Sequence, residues 1–125
     1  MKKYKKFFED DLWLKAFELQ KEVVELSVRF PDYEKYGLRS QINNSSNSVM
    51  ANIAEEHGRY HYADKIRVLY IVRGEIEETQ SHCLCAVSRG YIERSEIVGL
   101  INGYENLKKT LNGRIKKFRN NKEKE

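Results

Sequence analysis

His57 and His61 stand four residues apart with Glu55, Glu56 and Asp64 beside them. On one uninterrupted helical face that spacing could hold a divalent metal through two imidazoles and a carboxylate. Gly58 and the polar stretch after it interrupt the face. His82, Cys83 and Cys85 complete a nominal zinc set, but without a clean paired motif they read as a solvated histidine and core thiols, so no metal or other cofactor is expected. Cys83 and Cys85 are two apart, which on a helix points them to different sides, away from a mutual disulfide. Nucleophilic catalysis would need Ser45, Ser46 or Ser48 held beside a general base, and no such pairing is evident. Glu55-Glu56 and Glu77-Glu78 are adjacent and point to different sides of a helix, so neither pair can share a substrate atom. With no glycine-rich phosphate loop either, the chain does not read as an enzyme.

The elements that position these residues are all helical. Leu12, Ala16, Leu19, Val23, Leu26 and Phe30 recur at alternating spacings of four and three, the seam of an amphipathic helix over about 11–30 that Asp10 or Asp11 caps and Pro31 closes. Leu38, Ile42, Val49 and Ile53 carry a second helix to Gly58, with Ser45, Ser48 and Asn52 placing hydroxyl and amide groups on the packed stripe. Ile66, Leu69, Val72, Ile76, Thr79, Cys83 and Ala86 predict a third over 62–89, with Gly90 just past its end and Tyr91-Ile92 as a turn. Ser95 and Glu96 signal a fourth, whose seam is Ile97, Leu100, Tyr104, Leu107, Leu111, Ile115 and Phe118. Four helices on short connectors predict an all-α, antiparallel up-down-up-down four-helix bundle.

The 125 residues and 14.8 kDa suit one domain, and no apolar run approaches the ~20 residues of a spanning helix. The basic start leads into Glu9-Asp10-Asp11 rather than an apolar stretch, so a cytoplasmic protein without a membrane role is expected. The net charge of +4 is unevenly spread. Residues 1–8 hold four lysines and no acid, residues 9–107 hold 11 basic and 17 acidic side chains, and residues 108–125 hold eight basic and two acidic. The expected organisation is a basic arm over 1–8, the bundle over 9–119 and a charged tail over 120–125. Basic terminal segments are an electrostatic footprint for nucleic acid, since neutralising phosphates releases condensed counterions.

Several multi-residue strings stand in order along the chain. Phe30-Pro31, Glu34 and Tyr36-Gly37-Leu38, followed by Gln41-Ile42, form one; Ala51-Asn52-Ile53-Ala54-Glu55-Glu56-His57-Gly58-Arg59 forms a second. Gly74, Ile76 and Glu78 form a third, and Gly90-Tyr91-Ile92 a fourth. Over about residues 9–118 the chain resembles the four-helix-bundle proteins encoded in intervening sequences of bacterial 23S ribosomal RNA, related to accessory proteins of diversity-generating retroelements. The resemblance implies an antiparallel bundle, homopentameric assembly and no enzymatic activity, and its retroelement relatives imply nucleic acid and a reverse transcriptase as partners. The chain departs from the pattern at Asn43-Asn44, where the family has paired arginines, at Met50 in place of proline, and at Glu56-His57.

The nucleic-acid contacts are therefore assigned to Lys2, Lys3, Lys5, Lys6, Lys108, Lys109, Arg114, Lys116, Lys117 and Arg119. They would bind RNA or DNA, structured RNA above all, without reading bases. Asn52, Glu55 and Arg59 are assigned to a buried polar network or subunit contact, with Glu78 or Arg73 of the third helix as partners. Tyr60, Tyr62 and Tyr70 lie near Arg59, Lys65 and Arg67, a mixture that suits either base stacking or a subunit interface. The alternative function is a homo-oligomeric scaffold for a protein partner such as a reverse transcriptase, with no direct nucleic-acid role.

Overall fold

The computed structural model describes residues 5–124. Its long elements are four helices, α1 (Asp11–Ser27), α2 (Leu38–Gly58), α3 (Tyr62–Ser88) and α4 (Val98–Glu123), and among the described residues there is no strand. They close into a four-helix bundle in which α1 packs on α2 and α4 and α3 packs on α2 and α4; α2 against α3 is the most extensive seam and α1 against α4 the least. The predicted seam residues fill the centre, with Leu12, Ile42, Ile53, Leu69, Ile76, Tyr104, Leu107 and Leu111 essentially without solvent contact. Burying such side chains removes apolar surface from water, the main favourable contribution to folding.

The helix ends have identifiable causes. Asp10 caps α1 by accepting the Leu12 N–H at 3.1 Å. The helix stops at Ser27, three residues before the end that Pro31 alone would set. From α2, the Arg39 guanidinium donates to the Ser27 carbonyl, at 3.0 Å, and to the Phe30 carbonyl, satisfying acceptors that the helix leaves open. Phe30 is still buried, as its seam spacing predicts. At the end of α3, Gly90 has φ +78°, the Gly90 N–H donates to Val87 and the Tyr91 N–H to Ala86, both at 3.0 Å. That is the left-handed Schellman ending that favours glycine. A single 3-10 turn over Arg94–Glu96 precedes α4, which therefore starts at Val98, later than Ser95, and runs past residue 119.

Contacts at the two ends of the bundle fix where each helix begins and finishes. Asp10 at the start of α1, Glu56 near the end of α2, Lys65 in the first turn of α3 and Arg114 in the second half of α4 meet at one end. Arg29 just past α1 meets Glu96 before α4, and Glu34 between α1 and α2 meets Arg89 after α3, at the other.

Candidate nucleic-acid interface

Arg114 is the first of the predicted phosphate contacts that the structure reassigns. Its guanidinium forks onto Asp10, Nη1 to Oδ2 at 2.7 Å and Nη2 to Oδ1 at 2.6 Å, and Nη1 reaches Glu56 Oε1 at 3.5 Å. Lys65 closes the group from α3, donating to the Glu56 carbonyl at 2.9 Å and lying 3.7 Å from its carboxylate. Burial pushes Asp10 up, and the Arg114 hydrogen bonds and charge more than offset this, so its carboxyl stays below the ordinary range. Burial dominates at Glu56 and leaves it raised despite both cations. Arg114 is thus a structural ion-pair partner, held because a planar guanidinium can grip two carboxylates at once.

Lys108 is reassigned in the same way. It bridges Glu77 of α3 at 2.5 Å and Glu105 of its own helix at 2.8 Å, and its side chain is only 13% exposed. Lys109, Lys116 and Lys117 are exposed on α4 and form no ion pair among the described residues. Arg119 also has no carboxylate partner there and lies over the Tyr70 ring. The Lys5 and Lys6 side chains are exposed at the same end of the bundle, with the Lys5 carbonyl accepting from His57 Nε2 at 2.8 Å. Lys2 and Lys3 lie outside the described residues.

The polar network predicted around Asn52 is not formed by the predicted residues. Glu55 and Arg59 pair with each other across one turn at 2.6 Å on the exposed side of α2. Asn52 donates to the Ser48 carbonyl of its own helix, and Glu78 faces His82 of its own helix at 3.5 Å. An i, i+4 partner is closer than anything on a neighbouring helix, which is why these groups do not cross from α2 to α3. Arg73 instead donates to Asn112 Oδ1 of α4 at 2.9 Å. Tyr60 is exposed, while Tyr62 packs on Phe118 with ring centres 5.5 Å apart. Midway along the α2–α3 seam the polar contact is between Ser45 and Thr79, whose hydroxyls are 2.8 Å apart.

Sequence reasoning missed Glu34, the buried residue of the connector. Its carboxylate accepts the Leu38 N–H at 3.0 Å, capping α2, and also takes the Arg89 guanidinium and the Tyr91 hydroxyl. These bonds, the Leu38 amide first, pull its pKa down to about 2. The signal was present in the strings themselves, since Glu34-x-x-Gly37 and Gly90-Tyr91 belong to separate blocks that meet here. Burial alone pushes the Cys83 thiol up to about 12, consistent with a core thiol. Among the described residues no three His, Cys, Asp or Glu side chains gather as metal ligands, and no helix is long and apolar enough to cross a membrane.

A second surface is apolar. Trp13 stacks on Phe17 at 5.3 Å and meets Phe7 edge-on at 5.4 Å, and Phe8, Leu14, Phe17, Val24 and Val28 are each more than a third exposed. They extend along the outer side of α1, beside a groove of about 630 Å³ between α1 and α4 lined by Leu14, Leu19, Gly103 and Leu107.

Helix order, latched ends and a basic last helix define the molecule as an all-helical four-helix-bundle protein. Residues 9–113 match the family of 23S rRNA-intervening sequence proteins, and the chain belongs to that family. Among solved structures it is similar to a protein with unknown function from the S23 ribosomal protein family of Bacteroides thetaiotaomicron VPI-5482, seen in a crystal structure at 1.70 Å resolution. The two are 27% identical over 84% of this chain and 98% of the other, with a TM-score of 0.76. No curated protein matches the chain.

Proposed function

We propose that this protein is a non-catalytic, homo-oligomeric cytoplasmic bundle that binds structured RNA through its basic terminal segments without reading bases. The observation that carries this is the charge left over on α4. After Lys108 and Arg114 are neutralised internally, Lys109, Lys116 and Lys117 remain exposed and without an ion-pair partner among the described residues. Lysine ammonium groups on a helix face contact phosphate oxygens without sequence preference. Repeating such a face in an oligomer multiplies weak contacts into avidity.

The test is fluorescence anisotropy of a labelled RNA hairpin and a DNA duplex at two salt concentrations. Replacing Lys109, Lys116 and Lys117 by Gln should weaken binding and flatten its salt dependence. An unchanged slope overturns the reading. These substitutions serve better than truncation at Leu107, which would remove Leu111 and Ile115 from the core and Arg114 from its ion pairs.

The exposed apolar side of α1 favours a second reading, a homo-oligomeric scaffold that docks a protein such as a reverse transcriptase. Absence of any nucleic-acid binding, with assembly intact, would favour it.

A further inference from the structure

We propose that the outer seam between α3 and α4 carries a two-guanidinium site for the phosphodiester groups of RNA, built by Arg73 and Arg119 on the ring of Tyr70. The inference rests on the nucleic-acid reading above and moves its centre from the chain termini to this seam. The Arg73 and Arg119 guanidinium carbons lie 4.9 Å and 5.5 Å from the same Tyr70 ring centre. Tyr70 is half-buried against the core, which fixes the ring, and Arg73 is steadied by its bond to Asn112. Two like charges drawn to one aromatic ring repel each other, and the ring offsets only part of that.

The usual remedy is a carboxylate, and the sequence supplies one. Glu77 is four residues after Arg73, the spacing of a helical ion pair. Lys108 takes it instead, together with Glu105. Both carboxylates are thereby drawn to one lysine, and neither Arg73 nor Arg119 has a carboxylate partner among the described residues. Their polar and aromatic contacts are to uncharged groups, so both positive charges remain available. Guanidinium forks match the oxygens of a phosphate in pairs, as an ammonium does not.

The surroundings point to a chain of phosphates rather than a single anion. Lys109, Asn112, Lys116 and Arg119 follow one another at i, i+3, i+7 and i+10 along one side of α4, a stripe of about 15 Å at the helical rise. Over that length a nucleic-acid strand displays several phosphates. Arg119 ends the stripe, and Arg73, bonded to Asn112, widens it onto α3.

The experiment titrates the full chain against a fluorescein-labelled RNA hairpin at two salt concentrations. Arg73→Gln with Arg119→Gln should raise Kd about tenfold at the lower salt and reduce the slope of log K against log salt by about 2, close to one per lost phosphate contact. Tyr70→Leu keeps both charges and should raise Kd with a smaller change of slope. Arg119→Gln alone leaves the core untouched and should raise Kd about threefold, which guards against misreading an unfolded variant. If all three variants bind as the unaltered protein does while the Lys109, Lys116 and Lys117 variant weakens, the seam site is wrong and the broader reading stands. No RNA binding by the unaltered protein, or binding to phosphatidylserine vesicles in place of RNA, overturns both.

Discussion

A β-carbon on residue 37 would lie 2.5 Å from Oε1 of Glu34, so the glycine and the carboxylate occupy their positions only together. The clash is with the far end of a side chain, which can swing aside, but that end is the cap of α2 and the anchor of Arg89 and Tyr91. The cost of Gly37→Ala is therefore the loss of those bonds rather than crowding itself. A loss of about 1 kcal/mol or somewhat more is expected, chiefly for leaving the buried Leu38 N–H unsatisfied, and urea denaturation followed by circular dichroism measures it. Stability equal to that of the unaltered protein would show that Glu34 is not the anchor.

Acid should release the same anchor. Glu34 titrates at about 2 in the fold and near 4.5 without it. Its folded pKa is depressed, so its contribution is complete above about pH 4.5 and is lost as pH falls toward 2. Melting temperature between pH 6 and pH 2 should therefore fall less steeply for Glu34→Gln, which starts lower and has no charge to lose. Asp10 and Glu96 are also held below their ordinary values and contribute in the same direction.

Arg114→Met should destabilise the bundle by about 3 kcal/mol, because it strands the largely buried carboxylates of Asp10 and Glu56. Pairing it with Asp10→Asn should recover part of that loss, and a double-mutant cycle in urea measures the coupling. RNA affinity per folded molecule should stay within about twofold, since Arg114 offers no free donor fork. A large loss of affinity in a fully folded variant would return Arg114 to the phosphate-binding set.

Phe17→Glu with Val24→Glu tests the apolar side of α1. Both side chains are partly exposed, at 38% and 45%, so helicity should survive while a charged patch abolishes a hydrophobic contact between copies. Light scattering coupled to size exclusion should read an oligomer for the unaltered chain and a monomer for the variant. An unaltered chain that is monomeric at micromolar concentration removes the assembly and its avidity.

The helices were legible because a single property, apolar spacing of three and four, dictates both the element and its buried side. Gly90 was legible for a similar reason, since one residue type suits one backbone conformation. The end of α1 was not, because it depends on Arg39 reaching back to two carbonyls from another helix. The site was harder still. Asp10 and Arg114 are 104 positions apart, and no local pattern reveals that a lysine-rich helix spends two of its cations internally. Conversely, Glu55 and Arg59 looked like parts of a long-range network, yet the helix itself supplies the nearest partner to each.

The fork between Arg114 and Asp10 ties the beginning of α1 to the later turns of α4. The Lys5-Lys6 segment and the lysines around and beyond residue 114 consequently emerge at one end of the bundle, while the intervening residues 9–107 carry more acid than base. The exposed lysines of both basic segments that the structure describes, Lys5 and Lys6 with Lys116 and Lys117, are thereby gathered at that one end. In the field of a polyanion such a body turns before it touches, so orientation is selected during approach and association quickens as salt is withdrawn.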